Sequence, residues 1–279
     1  MFALIIGINK YKDWPLYGAV ADADAVLDYL QNHLGVPTSR IRILRDSEAT
    51  RGAIIREIMA LSVKDNKIIE KGDPILIYFA GHGESADTPD SEVWKVGSTG
   101  KIELLVPYDR DSSTLGIPDR TLAALLSHIA IKKGDNIVRQ TSICCEFIYK
   151  LTTRQTVILD CCHSSSLTRN KNQKVLDPSY KARAIDIGGK VPPDLDKEIW
   201  SVFESSDERA SNFQLESGFV RGLRSHLLLA ACHSRHLAYE RMGRGVFTVA
   251  LLKILMDIGI NKLTYASLFD RWMPPLSSG

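Results

Sequence analysis

Short apolar runs alternate with stretches of three-and-four periodicity along most of this chain, and that alternation predicts a mostly parallel sheet flanked by helices. Residues 2–8 are the first apolar run. Val20, Ala23, Leu27, Leu30 and Leu34 then fall on one helical face, closed by Gly35 and Pro37. Residues 41–44 read as a second strand, and Ile54, Ile58 and Leu61 mark a second helix. Pro74 opens the dense run I-L-I-Y-F-A, expected to be buried on both faces, which leads into Gly81-His82-Gly83. Residues 84–101 are polar and turn-rich, 103–106 form a short strand, and Asp119 caps a helix carrying Leu122, Leu125, Leu126 and Ile129. The strand T-V-I-L-D at 156–160 ends at Cys161-Cys162-His163. From 164 to 225 the pattern fades into what is expected to be a long loop, and connections of that length tend to be functional or disordered. A strand at 227–232 and a helix at 247–256 close the pattern, and no internal repeat is present.

The 279 residues, 44% hydrophobic and 24% charged, suit one large α/β domain. Thirty-five basic and 33 acidic residues leave a net charge of +2 with no block of one sign, which predicts neither a nucleic-acid nor a membrane partner. The run at 2–8 is far shorter than the roughly 20 residues of a membrane span. It also lacks a basic flank and a cleavage site, so a strand in a cytoplasmic protein is expected rather than a signal peptide. Five cysteines, odd in number and in apolar surroundings, argue against a disulfide framework. Cys144-Cys145 and Cys161-Cys162-His163 offer metal-ligand atoms, but adjacent strand residues diverge and no C-x-x-C spacing is present, so zinc is not expected.

Both polar clusters, at His82 and at Cys162, follow strands, and open α/β sheets bind ligands beyond the carboxyl ends of their strands. A thiol of ordinary pKa, about 8.5, is little ionised at neutral pH and needs an imidazole to generate the thiolate. His82 can supply it. Gly83 N–H, and the N–H of Cys162, can donate to a developing oxyanion. Strand alternation sends Asp160 and Cys162 to one side and Cys161 to the other, which selects Cys162 as the nucleophile.

At these residues the sequence resembles the caspase–hemoglobinase clan, and within it the metacaspases and metacaspase-like caspase-domain proteins of fungi. Besides A-G-H-G and D-C-C-H-S, the likeness covers A-L-I-I-G-I-N-K-Y at 3–11, L-Y-G-A-V-A-D-A at 16–23, G-I-P-D-R-T-L at 116–122, H-L-L-L-A-A-C at 226–232 and G-R-G-V-F-T at 243–248. The resemblance implies a caspase-like sheet of about six strands, with a large-subunit-like part at 1–165, a linker at 166–225 and a small-subunit-like part at 226–279. It also implies a cysteine endopeptidase acting on polypeptides after Arg or Lys through the Cys162–His82 dyad, with Asp22 and Asp160 lining the primary specificity pocket. A carboxylate pair suits a guanidinium or ammonium group. Basic residues such as Arg169, Lys174 and Arg183 make the linker a candidate for self-cleavage.

The chain departs from the family pattern in several places. Ser165 stands where the family usually has Gly, and Ala80 where a serine often precedes the histidine by two residues. Positions of the calcium-binding acids correspond to Ile102, Pro118 and Arg169, with only Asp119 acidic, so no cofactor is expected and calcium dependence is in doubt. Residues 138–155 have no counterpart in the relatives. Val-Arg, Leu-Thr and a final Gln can encode splice signals, which suggests a retained intron, and the ending at L-S-S-G suggests truncation. The competing reading is a catalytically impaired caspase-fold binding or regulatory protein.

Overall fold

The computed structural model describes residues 1–62, 69–89, 101–133, 155–161, 179–185, 190–205, 215–216, 219–220, 226–231, 238–263 and 267–268. Cys162, His163, Ser165, Arg169, Lys174, the paired cysteines at 144–145, all of the 138–155 insertion but Gln155, and the last residues of the chain lie outside them.

In chain order the elements are β1 (Phe2–Gly7), α1 (Ala19–Asp28), β2 (Ile41–Arg45), α2 (Arg51–Ser62), β3 (Ile75–Ala80), β4 (Gly83–Asp87), β5 (Lys101–Leu105), β6 (Ile117–Pro118), α3 (Asp119–Lys133), β7 (Gln155–Asp160), β8 (Tyr180–Ala182), α4 (Lys197–Ser205), β9 (Leu215–Glu216), β10 (Phe219–Val220), β11 (His226–Ala230), β12 (Tyr239–Arg241), β13 (Arg244–Gly245) and α5 (Val246–Ile258). The central sheet has the order β11-β7-β3-β1-β2 and is parallel throughout. This is the α/β architecture that the alternating pattern predicts, with five strands among the described residues.

Covered on both faces, β1 and β3 are buried along their whole lengths, which is why each reads as an unbroken apolar run. The helix α1 lies close on β1: a Cβ on Gly7 would come within 2.7 Å of the Ala23 Cβ. In register, Gly7 pairs with Ala80 and Ala80 with Asp160, so three strands end level at one edge. The order reverses between β1 and β3, because β2 is added on one side of β1 and β3 on the other. A crevice opens at such a switch point, and the loops after β1 and β3 line it.

Two expectations are corrected. Residues 83–87, expected among turns, form β4, paired antiparallel with β5. Polar Glu84 can be buried there because Arg110 Nε donates to its Oε1 at 2.7 Å and Nη2 to its Oε2 at 3.1 Å. The stretch 164–225, expected to be a loop, contains β8, α4, β9 and β10. Its apolar residues are sparse, and polar contacts anchor what they do not. Asp196 accepts from Arg51 Nη2 at 2.5 Å and from Thr121 Oγ1 at 2.8 Å, and the Arg120 guanidinium lies 4.0 Å from the Trp200 ring centroid. Among the described residues, no helix is long and apolar enough to cross a membrane.

Candidate active site

His82 leaves the end of β3 in a backbone held by three hydrogen bonds. Its N–H donates to the Tyr11 hydroxyl at 3.0 Å, that hydroxyl donates to the Val106 carbonyl at 3.0 Å, and the Val106 N–H returns to the His82 carbonyl at 3.0 Å. The preceding residue must be glycine, since a Cβ on Gly81 would lie 2.5 Å from the Tyr11 hydroxyl oxygen. The imidazole is 2% exposed, and Nε2 sits 2.8 Å from the Trp14 carbonyl oxygen. A carbonyl only accepts, so Nε2 carries the proton and Nδ1 presents its lone pair. Among the described residues Nδ1 has no hydrogen-bond partner.

Burial, reinforced by the nearby Lys181 and Arg183 cations, pushes the His82 pKa down to about 4, so the ring is a neutral base at physiological pH. An unfolded imidazole, near 6.5, binds protons more readily than the native one. His82 therefore leaves stability intact above pH 6.5 and withdraws it as pH falls from 6.5 toward 4. Urea titrations should show wild type losing about 2 kcal/mol more than His82→Gln between pH 7 and pH 4.5. Parallel declines in the two proteins would refute the low pKa.

Asp22 lies in the first turn of α1 and Asp160 at the end of β7, and both are fully buried. Between them sits Arg183, also without exposure. Arg183 Nη2 is 2.6 Å from Asp22 Oδ2, Nη1 is 2.9 Å from Asp160 Oδ2, and Glu240 Oε2 stands 3.5 Å from Nη2. Each acid is pinned in turn. Asp22 accepts from Arg244 Nε and from the Gly245 N–H, both at 2.7 Å. Asp160 Oδ2 accepts from Thr248 Oγ1 at 2.6 Å, and the Tyr78 hydroxyl is 2.6 Å from that same Thr248 oxygen. Glu240 accepts the backbone N–H groups of Tyr17 and Gly18 at 2.9 and 3.0 Å. Burial raises the Asp160 pKa, while the Arg183 charge beside it pulls the other way. Burial alone would depress Arg183, but Asp160 and Asp22 outweigh it and hold the guanidinium charged.

The backbone around Arg183 is equally engaged. Strand β8 pairs antiparallel with β12, with Ala182 opposite Tyr239 and Tyr180 opposite Arg241. The Arg183 N–H donates to the Ala238 carbonyl at 2.9 Å, the Gly83 N–H donates to the Arg183 carbonyl at 3.1 Å, and the Ile185 N–H donates to the Gly83 carbonyl at 3.0 Å. The peptide bond between Arg183 and Ala184 thus lies across Gly83, next to His82. A donor on that carbonyl can stabilise negative charge developing on its oxygen.

Asp22, Asp160, His82 and Gly83 are therefore gathered around one segment of the chain. Cys161 is 1% exposed and part of the hydrophobic core cluster. Among the described residues there is no group of three or more His, Cys, Asp or Glu able to hold a metal ion. Asp119 is driven up to about 7, chiefly by burial. Sequence reasoning assigned no part to the Trp14 carbonyl, Tyr11, Glu240, Arg244 or Thr248. Arg244 and Thr248 stand within the block G-R-G-V-F-T at 243–248, so that block was the available signal.

Comparison with known proteins agrees with this architecture. The caspase-domain model of the peptidase C14 family matches residues 1–274. Metacaspase-3 of Arabidopsis thaliana is 29% identical over 124 residues, a stretch covering 42% of this chain and 32% of that relative. The crystal structure of protein GSU0716 from Geobacter sulfurreducens is similar with a TM-score of 0.59 at 20% identity, over 98% of this chain and 89% of that one, a likeness of fold. A parallel sheet with its polar groups at the switch point, and a family match along nearly the whole length, lead to one conclusion: this chain belongs to the caspase-domain family, peptidase C14.

Proposed function

We propose that this chain is a cysteine endopeptidase cleaving polypeptides after arginine or lysine, with Cys162 as nucleophile and His82 as its base. The observation that carries the reading is Arg183, held charged by Asp22 and Asp160 with its carbonyl on the Gly83 N–H. A substrate arginine would be held in the same way. His82 Nδ1 takes the Cys162 thiol proton, and the sulfur attacks the carbonyl carbon while its oxygen draws on the N–H groups of Gly83 and Cys162. The C–N bond breaks, the leaving amine receives the proton from His82, and a thioester remains. Water then attacks the thioester, giving up a proton to His82, and the C–S bond breaks to release the carboxylate and restore the thiol. These steps use side chains and backbone amides alone, and calcium is assigned no part in them.

The segment 180–185 lies in the position such a substrate would take, so the first bond cut is that between Arg183 and Ala184 of the chain itself. This is the autoprocessing expected within 166–225. Fluorogenic peptides ending in Arg, Lys or Asp, with Cys162→Ala as control, test the reading together with mass spectrometry of the incubated protein. The expected result is turnover of Arg and Lys peptides at least about a hundredfold above Asp, with a cut after Arg183 that the Cys162→Ala protein lacks. No turnover at any calcium concentration and no cut would favour the impaired caspase-fold binding protein instead.

A further inference from the structure

We infer that the enzyme reads two residues beyond the arginine: a basic side chain two positions upstream of it and an aromatic ring three positions upstream, through Tyr17 and Arg241. The inference rests on the proposed reading of Arg183 as the residue before the cut, and it follows from the register of β8.

Strand alternation sends Lys181 to the same side as Arg183, and Tyr180 to the opposite side. The Lys181 ammonium donates to the Pro15 carbonyl and stands 4.6 Å from the Tyr17 ring centroid. That carbonyl and that ring face make a seat for a cation: an acceptor with no proton to give, and a π surface of negative potential. Tyr17 is 66% exposed, so its ring is open to a ligand, while its backbone N–H is fixed by Glu240, the acid that also faces Arg183. Recognition of the upstream cation is thereby built onto the wall of the arginine pocket. No carboxylate contacts Lys181 among the described hydrogen bonds and ion pairs, so the preference is for a cation held by carbonyl and ring, weaker than that for the buried arginine.

Tyr180 meets different chemistry. Its ring stands edge-on to Tyr239, with centroids 6.1 Å apart and planes at 88°, the favourable arrangement for two aromatic quadrupoles. The Arg241 guanidinium lies 5.0 Å from the Tyr180 ring centroid, and its Nη1 donates to the Tyr180 hydroxyl at 3.2 Å. The ring is gripped from two directions, and the hydroxyl is recognised as well. Tyr239 and Arg241 belong to β12, the strand that pairs with β8, so any extended peptide paired there in the same register would meet both.

Four acetylated peptides carrying a fluorogenic amide test this: Tyr-Lys-Ala-Arg, Tyr-Ala-Ala-Arg, Ala-Lys-Ala-Arg and Ala-Ala-Ala-Arg. The first should be cleaved with the highest kcat/KM, and each alanine replacement should lower it by roughly fivefold. Tyr17→Ala should erase the advantage of lysine while keeping that of tyrosine, and Arg241→Ala should do the reverse. Equal kcat/KM across the four peptides would overturn the inference while leaving cleavage after arginine standing. If none is cleaved, the endopeptidase reading fails and binding decides. Labelled forms of the same peptides, titrated by fluorescence anisotropy into a Cys162→Ala protein in which Tyr180, Lys181 and Arg183 are all replaced by alanine, so that the three side-chain seats are vacated, should rank in the same order. Equal affinity, or no binding, would overturn the inference.

Discussion

Asp22→Asn should lower the thermal midpoint by roughly 10 °C and reduce kcat/KM for arginine peptides by about a thousandfold. The two Asp22 oxygens accept from Arg183 Nη2, Arg244 Nε and the Gly245 N–H. Asparagine fits the same space but turns one acceptor into a donor, so at least one of those three donors then faces an N–H₂ group; Arg183 and the Gly245 N–H are buried, whereas the Arg244 side chain is partly exposed. Breaking one partner of a buried ion pair costs about 3–5 kcal/mol, and a domain of this size loses roughly 2–4 °C per kcal/mol. Asp24→Asn is the control. Asp24 is on the same helix and pairs with Arg45 at 2.5 Å, but both side chains are solvent-accessible, and such pairs are worth less than about 1 kcal/mol. Scanning calorimetry on the two variants separates burial from mere pairing: equal midpoints would show that the buried network carries no weight.

Gly245→Ala is expected to close the arginine site at the cost of a single methyl group. The backbone at Gly245, φ −67° and ψ 126°, is one that alanine adopts without strain. Its Cβ, however, would fall 2.6 Å from Asp22 Oδ2 and 2.7 Å from Arg183 Nη1, and press on Asp160 as well. No flexible end yields there, because both carboxylates are already fixed by Thr248, Arg244 and the backbone. Turnover of arginine peptides should fall by at least about a hundredfold, the scale on which a 1 Å displacement acts. Lysine peptides should lose less, since an ammonium is narrower than a planar guanidinium and does not need both carboxylates in its plane. The self-cut after Arg183 should disappear from mass spectra of the purified variant. Unchanged arginine turnover would mean that substrate arginines bind elsewhere than in the cavity Arg183 fills.

Much of the scaffold was legible without coordinates because its strands and helices announce themselves locally. The runs that became β1, β3 and β7 are apolar because both faces of a parallel sheet are covered, and the threefold and fourfold spacing in α1, α2 and α3 follows from helices packed on that sheet. The placement of His82 and Asp160 at strand ends followed from the same pattern. Strand β4 was not legible, because the burial of Glu84 depends on Arg110, 26 residues away. Strand β8 was missed for a related reason. Tyr-Lys-Ala carries no alternating apolar signal, and the strand exists through pairing with β12, which lies some sixty residues further along the chain.

The sequence by itself determined the alternation of elements, the parallel sheet and the strand-end histidine, and its resemblance to the metacaspases pointed to Asp22 and Asp160 as a pair of acids. Only the tertiary structure decided which cation meets the acids: Arg183, chosen from many basic residues in 164–225, is the one whose strand adds to β12 while its side chain reaches Asp22 and Asp160. It also decided which imidazole nitrogen keeps its lone pair, because the carbonyl that fixes the proton comes from Trp14, 68 residues before His82. The physical reason is common to both. Hydrophobic periodicity is a local property read along a few turns of chain, whereas buried charges and proton positions are set by partners that only the closed fold brings within hydrogen-bonding distance.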